Sequence, residues 1–206
     1  EDIGVYGGVF AVTRGLLEEF GESRVRDTPI AESVIIGAAI GSAMGGLRPV
    51  AELQTINFSL LAMDQIVNNA AKIRYMSGGQ FSIPLTIRMV SGGGNQLGAQ
   101  HSQSLEGWYA SVPGLKVVAP FTPADAKGLL KAAIRDNNTV IFVEHSLLYS
   151  TRGAVPDGDH VVPLGHAADR RSGKHVTLVA YSRMVGRCLA AAERLEAEGI
   201  ESEVID

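Results

Sequence analysis

The chain has 206 residues, of which 46% are hydrophobic and 19% are charged. This length accommodates one sizeable α/β domain, or one domain and part of a second, and is too short for several complete domains. The formal net charge is −4, and the 18 basic residues are mixed with 22 acidic ones. The chain therefore lacks the basic stripe that a nucleic-acid surface requires. Its single cysteine, Cys188, excludes an internal disulfide and indicates a reducing compartment.

A long apolar segment in the first third of the chain is the only stretch that resembles a membrane span. Residues 33–47 carry no charge, but they are fewer than the roughly 20 residues that a bilayer span needs and include several glycines. No signal peptide is visible. We therefore expect a soluble globular enzyme component with neither a membrane nor a nucleic-acid partner.

Apolar residues recur at helical spacing in six segments that alternate with short β-rich runs. The predicted helices are 10–20, 34–45, 59–75, 102–110, 124–135 and 185–197. The predicted strands are 49–53, 83–90, 115–119, 140–143, 176–180 and 202–205. Most of these strands are continuous apolar runs of the kind that is buried on both faces. The alternation predicts an α/β fold with a mostly parallel sheet flanked by helices.

Two local patterns mark boundaries in the second half of the chain. The sequence Thr122-Pro123-Ala124-Asp125 places a capping hydroxyl, a proline and a first-turn carboxylate in the order that a helix start prefers. Residues 151–173 show no sustained period, which predicts a linker. We therefore expect one domain over 1–150 and the beginning of a second, incomplete α/β domain over 174–206.

Glycines recur every fourth residue in the second predicted helix, at Gly37, Gly41 and Gly45. They make one bare helix face that lets another helix approach closely. Tight packing within the chain and a subunit interface are both compatible with this pattern.

Several familiar catalytic motifs are missing from the sequence. It contains no G-x-G-x-x-G, no G-x-x-x-x-G-K-[ST], no G-x-S-x-G, no H-E-x-x-H and no paired C-x-x-C. These absences argue against a dinucleotide oxidoreductase, a P-loop kinase, an α/β-hydrolase and a zinc enzyme. The glycine run at 91–95 is better explained as a flexible loop than as an anion site.

Three side chains stand where chemistry is plausible. Glu32 lies where a loop leads into an apolar helix; it either has a desolvated carboxyl with a raised pKa or serves the helix dipole. His101 follows a glycine-rich loop, where a titrating imidazole often acts, although a lone histidine is commonly a surface residue. Phe58 follows a predicted strand end, where open α/β sheets bind ligands, although an aromatic residue there is commonly core.

Six ordered motifs extend through the chain in one register. They are DTPIAE (27–32), GLRP (46–49), DQIVN (64–68), YMSGG (75–79), QHSQS (100–104) and PGLKVV (113–118). Together they resemble the β subunit of the thiamine-diphosphate-dependent E1 component of 2-oxoacid dehydrogenase complexes. The segments DAKGL (125–129) and RDNN (135–138) resemble the pyruvate branch more than the branched-chain one.

This resemblance implies a transketolase-like pyrimidine-binding domain and a role for each of the three side chains. The glutamate matching Glu32 hydrogen-bonds N1′ of the aminopyrimidine and favours the tautomer whose 4′ nitrogen removes the C2 proton of the cofactor. The aromatic matching Phe58 stacks on the pyrimidine, and the histidine matching His101 faces the substrate and the lipoyl group. The implied activity is oxidative decarboxylation of pyruvate with acetyl transfer to lipoyl, the step that links glycolysis to the citrate cycle.

The resemblance also implies bound ions and protein partners. Main-chain carbonyls at positions matching Leu85, Ala133, Asp136 and Asn138 hold a potassium ion in some members. The family's diphosphate and magnesium motif, Gly-Asp-Gly followed by Asn, is missing here, and Asp157-Gly158-Asp159 only superficially resembles it. The resemblance therefore assigns the diphosphate and magnesium to the α subunit of an α₂β₂ heterotetramer, which works with the acyltransferase E2 of the multienzyme complex. The expected location is the bacterial cytoplasm or, in a eukaryote, the mitochondrial matrix or plastid.

Three other functions remain open. Acetoin and branched-chain 2-oxoacids are alternative substrates, because pocket walls from an α chain would set the size selection. A non-catalytic interaction subunit with the same fold is the alternative from a different class. Retention of Glu32, Phe58 and His101 speaks against it.

Overall fold

The chain forms two compact units in a computed structural model that describes residues 1–206. The first unit comprises Glu1–Val117 and Ile134–Ser146, and the second comprises Val118–Ala133 and Leu147–Asp206. The predicted boundaries at 150 and 173 stay a prediction. None of the helices is long and apolar enough to cross a membrane.

The first unit is built on a four-stranded sheet. Its strands are β1 (Val50–Thr55), β2 (Thr86–Ser91), β3 (Leu115–Val118) and β4 (Thr139–His145), in the order β1-β2-β4-β3. The β1–β2 and β2–β4 pairs are parallel, and β2 is buried along its whole length. A parallel sheet covered on both faces requires such continuously buried central strands. The predicted α/β fold class with a mostly parallel sheet is confirmed.

Helices of several kinds cover this sheet. They are α1 (Leu16–Phe20), α2 (Glu32–Met44), a 3₁₀ helix (Ile56–Ala62), a π-helical segment (Gln65–Ala70), α3 (Ile73–Met76), a 3₁₀ turn (Ala99–His101) and α4 (Glu106–Ala110). The core lies between α2 and the sheet, where Ile36, Leu53, Ile87 and Ile141 are fully buried.

The second unit holds a smaller sheet. The chain passes through α5 (Pro123–Arg135), a 3₁₀ turn (Ser146–Leu148), β5 (Asp169–Arg171), β6 (Val176–Val179), α6 (Arg183–Glu196) and β7 (Ser202–Ile205). β7 is the central strand, antiparallel to β5 and parallel to β6. Val185, Ala192 and Val204 form the core of this unit.

The helix start predicted before residue 124 is confirmed by its hydrogen bonds. The Asp125 N–H donates to Thr122 Oγ1 at 3.1 Å, and the Thr122 N–H donates to Asp125 Oδ2 at 3.0 Å. This reciprocal capping box satisfies two backbone donors that the first turn of α5 would otherwise leave free.

Four predicted segments differ from the structure. The helix expected over 102–110 begins only at Glu106, because residues 102–105 are not helical. The helix expected over 10–20 is limited to α1, because the N–H groups of Ala11 and Thr13 bond to the carbonyls of Gly8 and Gly7 in turns. The helix expected over 59–75 is divided into 3₁₀, π and α segments, with an i→i−5 bond from Ala71 N–H to Ile66 O. The expected linker contains β5, because pairing with β7 stabilises a segment with no strand pattern of its own.

Candidate functional site

Glu32 is the first residue of α2, and its side chain is only 6% exposed. The adjacent Ile35 is buried, whereas Ile30 and Val34 are 75% and 64% exposed. The backbone carbonyl of Leu61 in the 3₁₀ helix accepts a 2.5 Å hydrogen bond from Ser33 Oγ, which fixes the start of α2.

A second buried carboxyl lies beside Glu32. Glu1 is 5% exposed and hydrogen-bonds to the Glu32 side chain. Burial raises the pKa of Glu1, and the negative charge of Glu32 raises this pKa further. Because like charges repel, two neighbouring buried carboxyls oppose the ionisation of Glu1, which agrees with the direction in which its pKa moves. Sequence analysis missed Glu1, because nothing in the local sequence relates it to a residue 31 positions away.

The segment that carries Glu1 is fixed to the loop before α2. The Asp27 carboxylate accepts hydrogen bonds from the N–H groups of Gly4 at 2.7 Å and Val5 at 3.0 Å, which hold its pKa below the usual value. Asp2 accepts a hydrogen bond from the Gln54 amide at 3.1 Å, close to the end of β1. These bonds keep the N-terminal segment against the elements that lead to Glu32 and Phe58.

Phe58 and His101 are in direct contact although 43 positions separate them. Their ring centroids lie 5.2 Å apart with an interplanar angle of 90°, an edge-to-face arrangement. Phe58 belongs to the 3₁₀ helix after β1 and is partly buried, whereas His101 ends the 3₁₀ turn before α4 and is exposed. The exposed His101 imidazole can therefore contact a ligand that stacks on the Phe58 ring.

A buried row of charges crosses the sheet in the same unit. Arg88 on β2 is 4% exposed and forms ion pairs with Glu52 on β1 and, at 2.6 Å, with Glu144 on β4. Two carboxylates around one guanidinium compensate its charge and keep the polar groups of three neighbouring strands satisfied. Sequence analysis missed this row, since each member lies within an otherwise apolar strand.

Two protein-family models match the sequence of this chain. The model for the transketolase pyrimidine-binding domain matches residues 1–151, and the model for the transketolase C-terminal domain matches residues 165–206. The chain belongs to the transketolase family. The expected relationship to E1 β subunits is confirmed by the similarity of the chain to several of them.

Relatives from different organisms match the whole chain. The mitochondrial pyruvate dehydrogenase E1 subunit beta-1 of Arabidopsis thaliana is 50% identical over 210 residues, covering 100% of this chain and 58% of that protein. The pyruvate dehydrogenase E1 subunit beta of Rhizobium meliloti is 51% identical over 207 residues, covering 45% of that protein. The 2-oxoisovalerate dehydrogenase subunit beta of Bacillus subtilis is 51% identical, with 63% of that protein covered. The chain thus spans about half to two thirds of the length of these relatives.

A solved structure described as a split-gene transketolase, inactive beta4 tetramer, shares the fold. It is 26% identical to this chain with a TM-score of 0.74, and the match covers 96% of this chain and 59% of the other. This comparison supports the same family and the same α/β arrangement.

The residues that the family resemblance relates to potassium stay a prediction. The Leu85 carbonyl accepts a hydrogen bond from Val140 N–H at 2.9 Å, and the Asp136 carbonyl accepts one from Arg48 at 2.9 Å. Asn138 donates its N–H to the Asp136 carboxylate, and Ala133, which belongs to the second unit, is buried. No cluster of three or more His, Cys, Asp or Glu side chains could hold a metal.

A cavity of about 440 Å³ in the first unit is lined by Asn138, one of the predicted potassium residues, and by residues outside the predicted site. Arg74, Tyr75, Gly114 and Thr139 are among its walls, and none of Glu32, Phe58 and His101 is. The three candidate side chains therefore do not line this cavity.

Proposed function

We propose that this chain is the catalytic β part of a 2-oxoacid dehydrogenase E1 that uses thiamine diphosphate. The proposed reaction is oxidative decarboxylation of pyruvate with reductive acetylation of the lipoyl group of the acyltransferase. The observation that carries the proposal is the combination of a buried Glu32 at the start of α2 with the Phe58–His101 contact. The names of the relatives that match the whole chain support the choice of substrate.

The residues present fit the pyrimidine half of the cofactor. Glu32 offers a buried carboxyl beside Glu1, whose pKa is raised by burial and by the negative charge of Glu32. The Glu32 carboxyl would hydrogen-bond a ring nitrogen of the pyrimidine, and the Phe58 ring would stack on its face. The bound cofactor supplies the electron sink for decarboxylation of a 2-oxo acid.

His101 would act on the substrate side of the site. Its imidazole is exposed and is oriented by the edge contact with Phe58. Histidine titrates near neutral pH, so it can hold or release a proton while a carbonyl substrate or a lipoyl thiol is in place. We assign it to positioning and proton transfer at that group rather than to holding the pyrimidine.

An α subunit would complete the site in an α₂β₂ heterotetramer. The chain lacks a Gly-Asp-Gly…Asn motif, and so the diphosphate and its magnesium would be held by the partner. The exposed apolar side chains around the start of α2, including Ile30, Val34 and Leu61, provide a surface for such a partner. A potassium ion at the carbonyls of Leu85, Ala133, Asp136 and Asn138 would stabilise the β chain. The compartment would be the bacterial cytoplasm, the mitochondrial matrix or the plastid.

Branched-chain 2-oxoacids are the second candidate substrates. The 2-oxoisovalerate dehydrogenase β subunit of Bacillus subtilis is as similar to this chain as the pyruvate dehydrogenase subunits are. Acetoin is a further alternative. Discrimination between substrates that differ by a few methylene groups depends on pocket walls that both subunits would supply.

Reconstitution with the α subunit tests the proposal. The assembled enzyme should decarboxylate pyruvate in the presence of thiamine diphosphate and magnesium, and should be slower with branched 2-oxoacids or acetoin. The β chain alone should bind the cofactor weakly and show no turnover. A complex that assembles but has no thiamine-dependent activity on any of these substrates would instead indicate a non-catalytic interaction subunit.

A further inference from the structure

The loop that carries His101 is closed at its base by a buried hydrogen bond. Ser91 at the end of β2 donates its hydroxyl to Glu106 Oε2 at 2.7 Å, at the start of α4. Both residues are buried, with exposures of 5% and 9%. Gly92 N–H also donates to the Gln103 carbonyl at 3.0 Å. These bonds join the two ends of the loop and restrict its backbone freedom.

A second buried hydrogen bond connects α4 to the helix that carries Phe58. The Tyr109 hydroxyl lies 2.5 Å from Ser59 Oγ, and Tyr109 is fully buried. Ser59 donates its single hydroxyl proton to the Ile56 carbonyl, so its oxygen accepts the proton of Tyr109. Burial raises the pKa of Tyr109, which keeps the phenol protonated as a donor.

The two bonds act on both partners of the Phe58–His101 contact. Ser59 directly follows Phe58 in the chain, and Glu106 lies five positions after His101. The bond from Tyr109 fixes α4 relative to the 3₁₀ helix, and the bond from Ser91 fixes the loop relative to β2. The 5.2 Å separation of the Phe58 and His101 rings therefore depends on two side-chain bonds outside the site.

We infer that Glu106 and Tyr109 are positioning residues that hold the His101 imidazole against Phe58 through their buried bonds to Ser91 and Ser59. Neither side chain needs to touch substrate or cofactor for this role. The effect on turnover rests on the proposed function, whereas the effect on the loop does not.

The loop itself gives the first test, in the assembled complex. Amide hydrogen exchange over residues 92–105 should accelerate about fivefold in Tyr109→Phe and in Glu106→Ala, since one net hydrogen bond is worth about that factor. Glu106→Gln should restore much of the protection, because its amide oxygen can still accept from Ser91. Ser111→Ala is the matched control, since Ser111 directly follows α4 and its hydroxyl bonds only to the Trp108 carbonyl. Unchanged exchange over 92–105, or an increase spread evenly over the chain, would overturn the inference.

A double-mutant cycle with His101→Ala gives the second test. Tyr109→Phe, which removes one buried oxygen, should lower acetyl transfer to lipoyl about tenfold and leave thiamine diphosphate affinity unchanged. In the His101→Ala background the same substitution should have no further effect on transfer. An equal loss in both backgrounds would show a role that does not act through His101 and would overturn the inference. If the wild-type complex has no activity, the proposed function fails, and the exchange experiment still decides whether the bonds hold the loop.

Discussion

At the scale of single residues, the environment of Glu32 separates two interpretations of its carboxyl. A first-turn glutamate that serves only the helix dipole does not need to be buried, because it already interacts favourably with the dipole at the surface. Glu32 is instead buried beside Glu1, and burying two carboxyls side by side is costly. This cost favours a chemical role for Glu32 in addition to its place at the start of α2.

Glu32→Gln should slow proton exchange on the bound cofactor without preventing assembly with the α subunit. The amide preserves the shape of the side chain but cannot share a carboxyl proton, so the variant should assemble with the α subunit and bind cofactor nearly as well. Hydrogen–deuterium exchange at C2 of bound thiamine diphosphate should slow strongly, in the range of about 10²–10⁴-fold for a lost acid–base group. Glu18→Gln, at an exposed first-turn position of α1, is the control and should exchange normally. Wild-type exchange in the Glu32 variant would remove this residue from the mechanism.

Glu1→Gln should change the pH dependence of stability. Folding raises the pKa of Glu1 above its ordinary value of 4.5, so the folded state binds more protons than the unfolded state as the pH rises past that value. Wild-type stability should therefore fall with rising pH in this window and then level off. Glutamine does not ionise, so the stability of the variant should not fall in this pH window. The variant should therefore be more stable than wild type at pH 7 but not at pH 4. Chemical unfolding at the two pH values checks this, and an equal difference at both would contradict it.

At the scale of elements, the sequence predicts a helix or strand where the segment itself contains capping residues or an apolar run. The capping residues before α5 and the apolar runs of β2 and β4 predict these elements nearly to their ends. The π-helical segment and β5 were not predictable, because they depend on packing and strand pairing rather than on local propensity.

The candidate site also contains residues that the sequence singles out and residues that it does not. Glu32, Phe58 and His101 stand out because of their residue types and local positions. Their buried partners do not: the Glu1–Glu32 and Ser59–Tyr109 pairs join residues 31 and 50 positions apart, and only the tertiary fold brings them together.

Gly92→Ala tests how β2 leads into the His101 loop. Gly92 has a φ of +83°, and a Cβ there would lie 2.4 Å from the His145 ring. Alanine would be strained in the left-handed backbone and would also displace the His145 ring, so the free energy of unfolding should fall by about 2–4 kcal/mol. Gly78→Ala is the control, because its φ of +62° is also positive but no atom lies within 4 Å of its Cβ position. Its cost should be only about 1–2 kcal/mol. Equal losses for the two variants in denaturant unfolding would exclude the contact with His145.

At the scale of the whole molecule, α2 has apolar residues on all sides although part of its surface is open. Gly41 and Val34 are exposed on this helix, and the 3₁₀ helix nearby exposes Leu61. A helix that is apolar all round is normally buried, so we predict that the exposed face of α2 forms a subunit interface. Internal packing does not explain Gly41, because no atom lies within 4 Å of a Cβ built there.

Gly41→Ala should therefore have opposite effects on the chain and on the assembly. In the isolated chain alanine replaces glycine inside a helix with open space around it, so the free energy of unfolding should rise by about 1 kcal/mol. In the complex the added methyl group would occupy the surface where a partner helix approaches, and the affinity for the α subunit should fall. Gly107→Ala in α4, also with nothing within 4 Å, is the control and should leave assembly unchanged. Denaturant unfolding of the chain and a sedimentation titration with the α subunit measure the two effects. A stabilised chain that assembles with full affinity would show that the glycine face of α2 lies outside the interface.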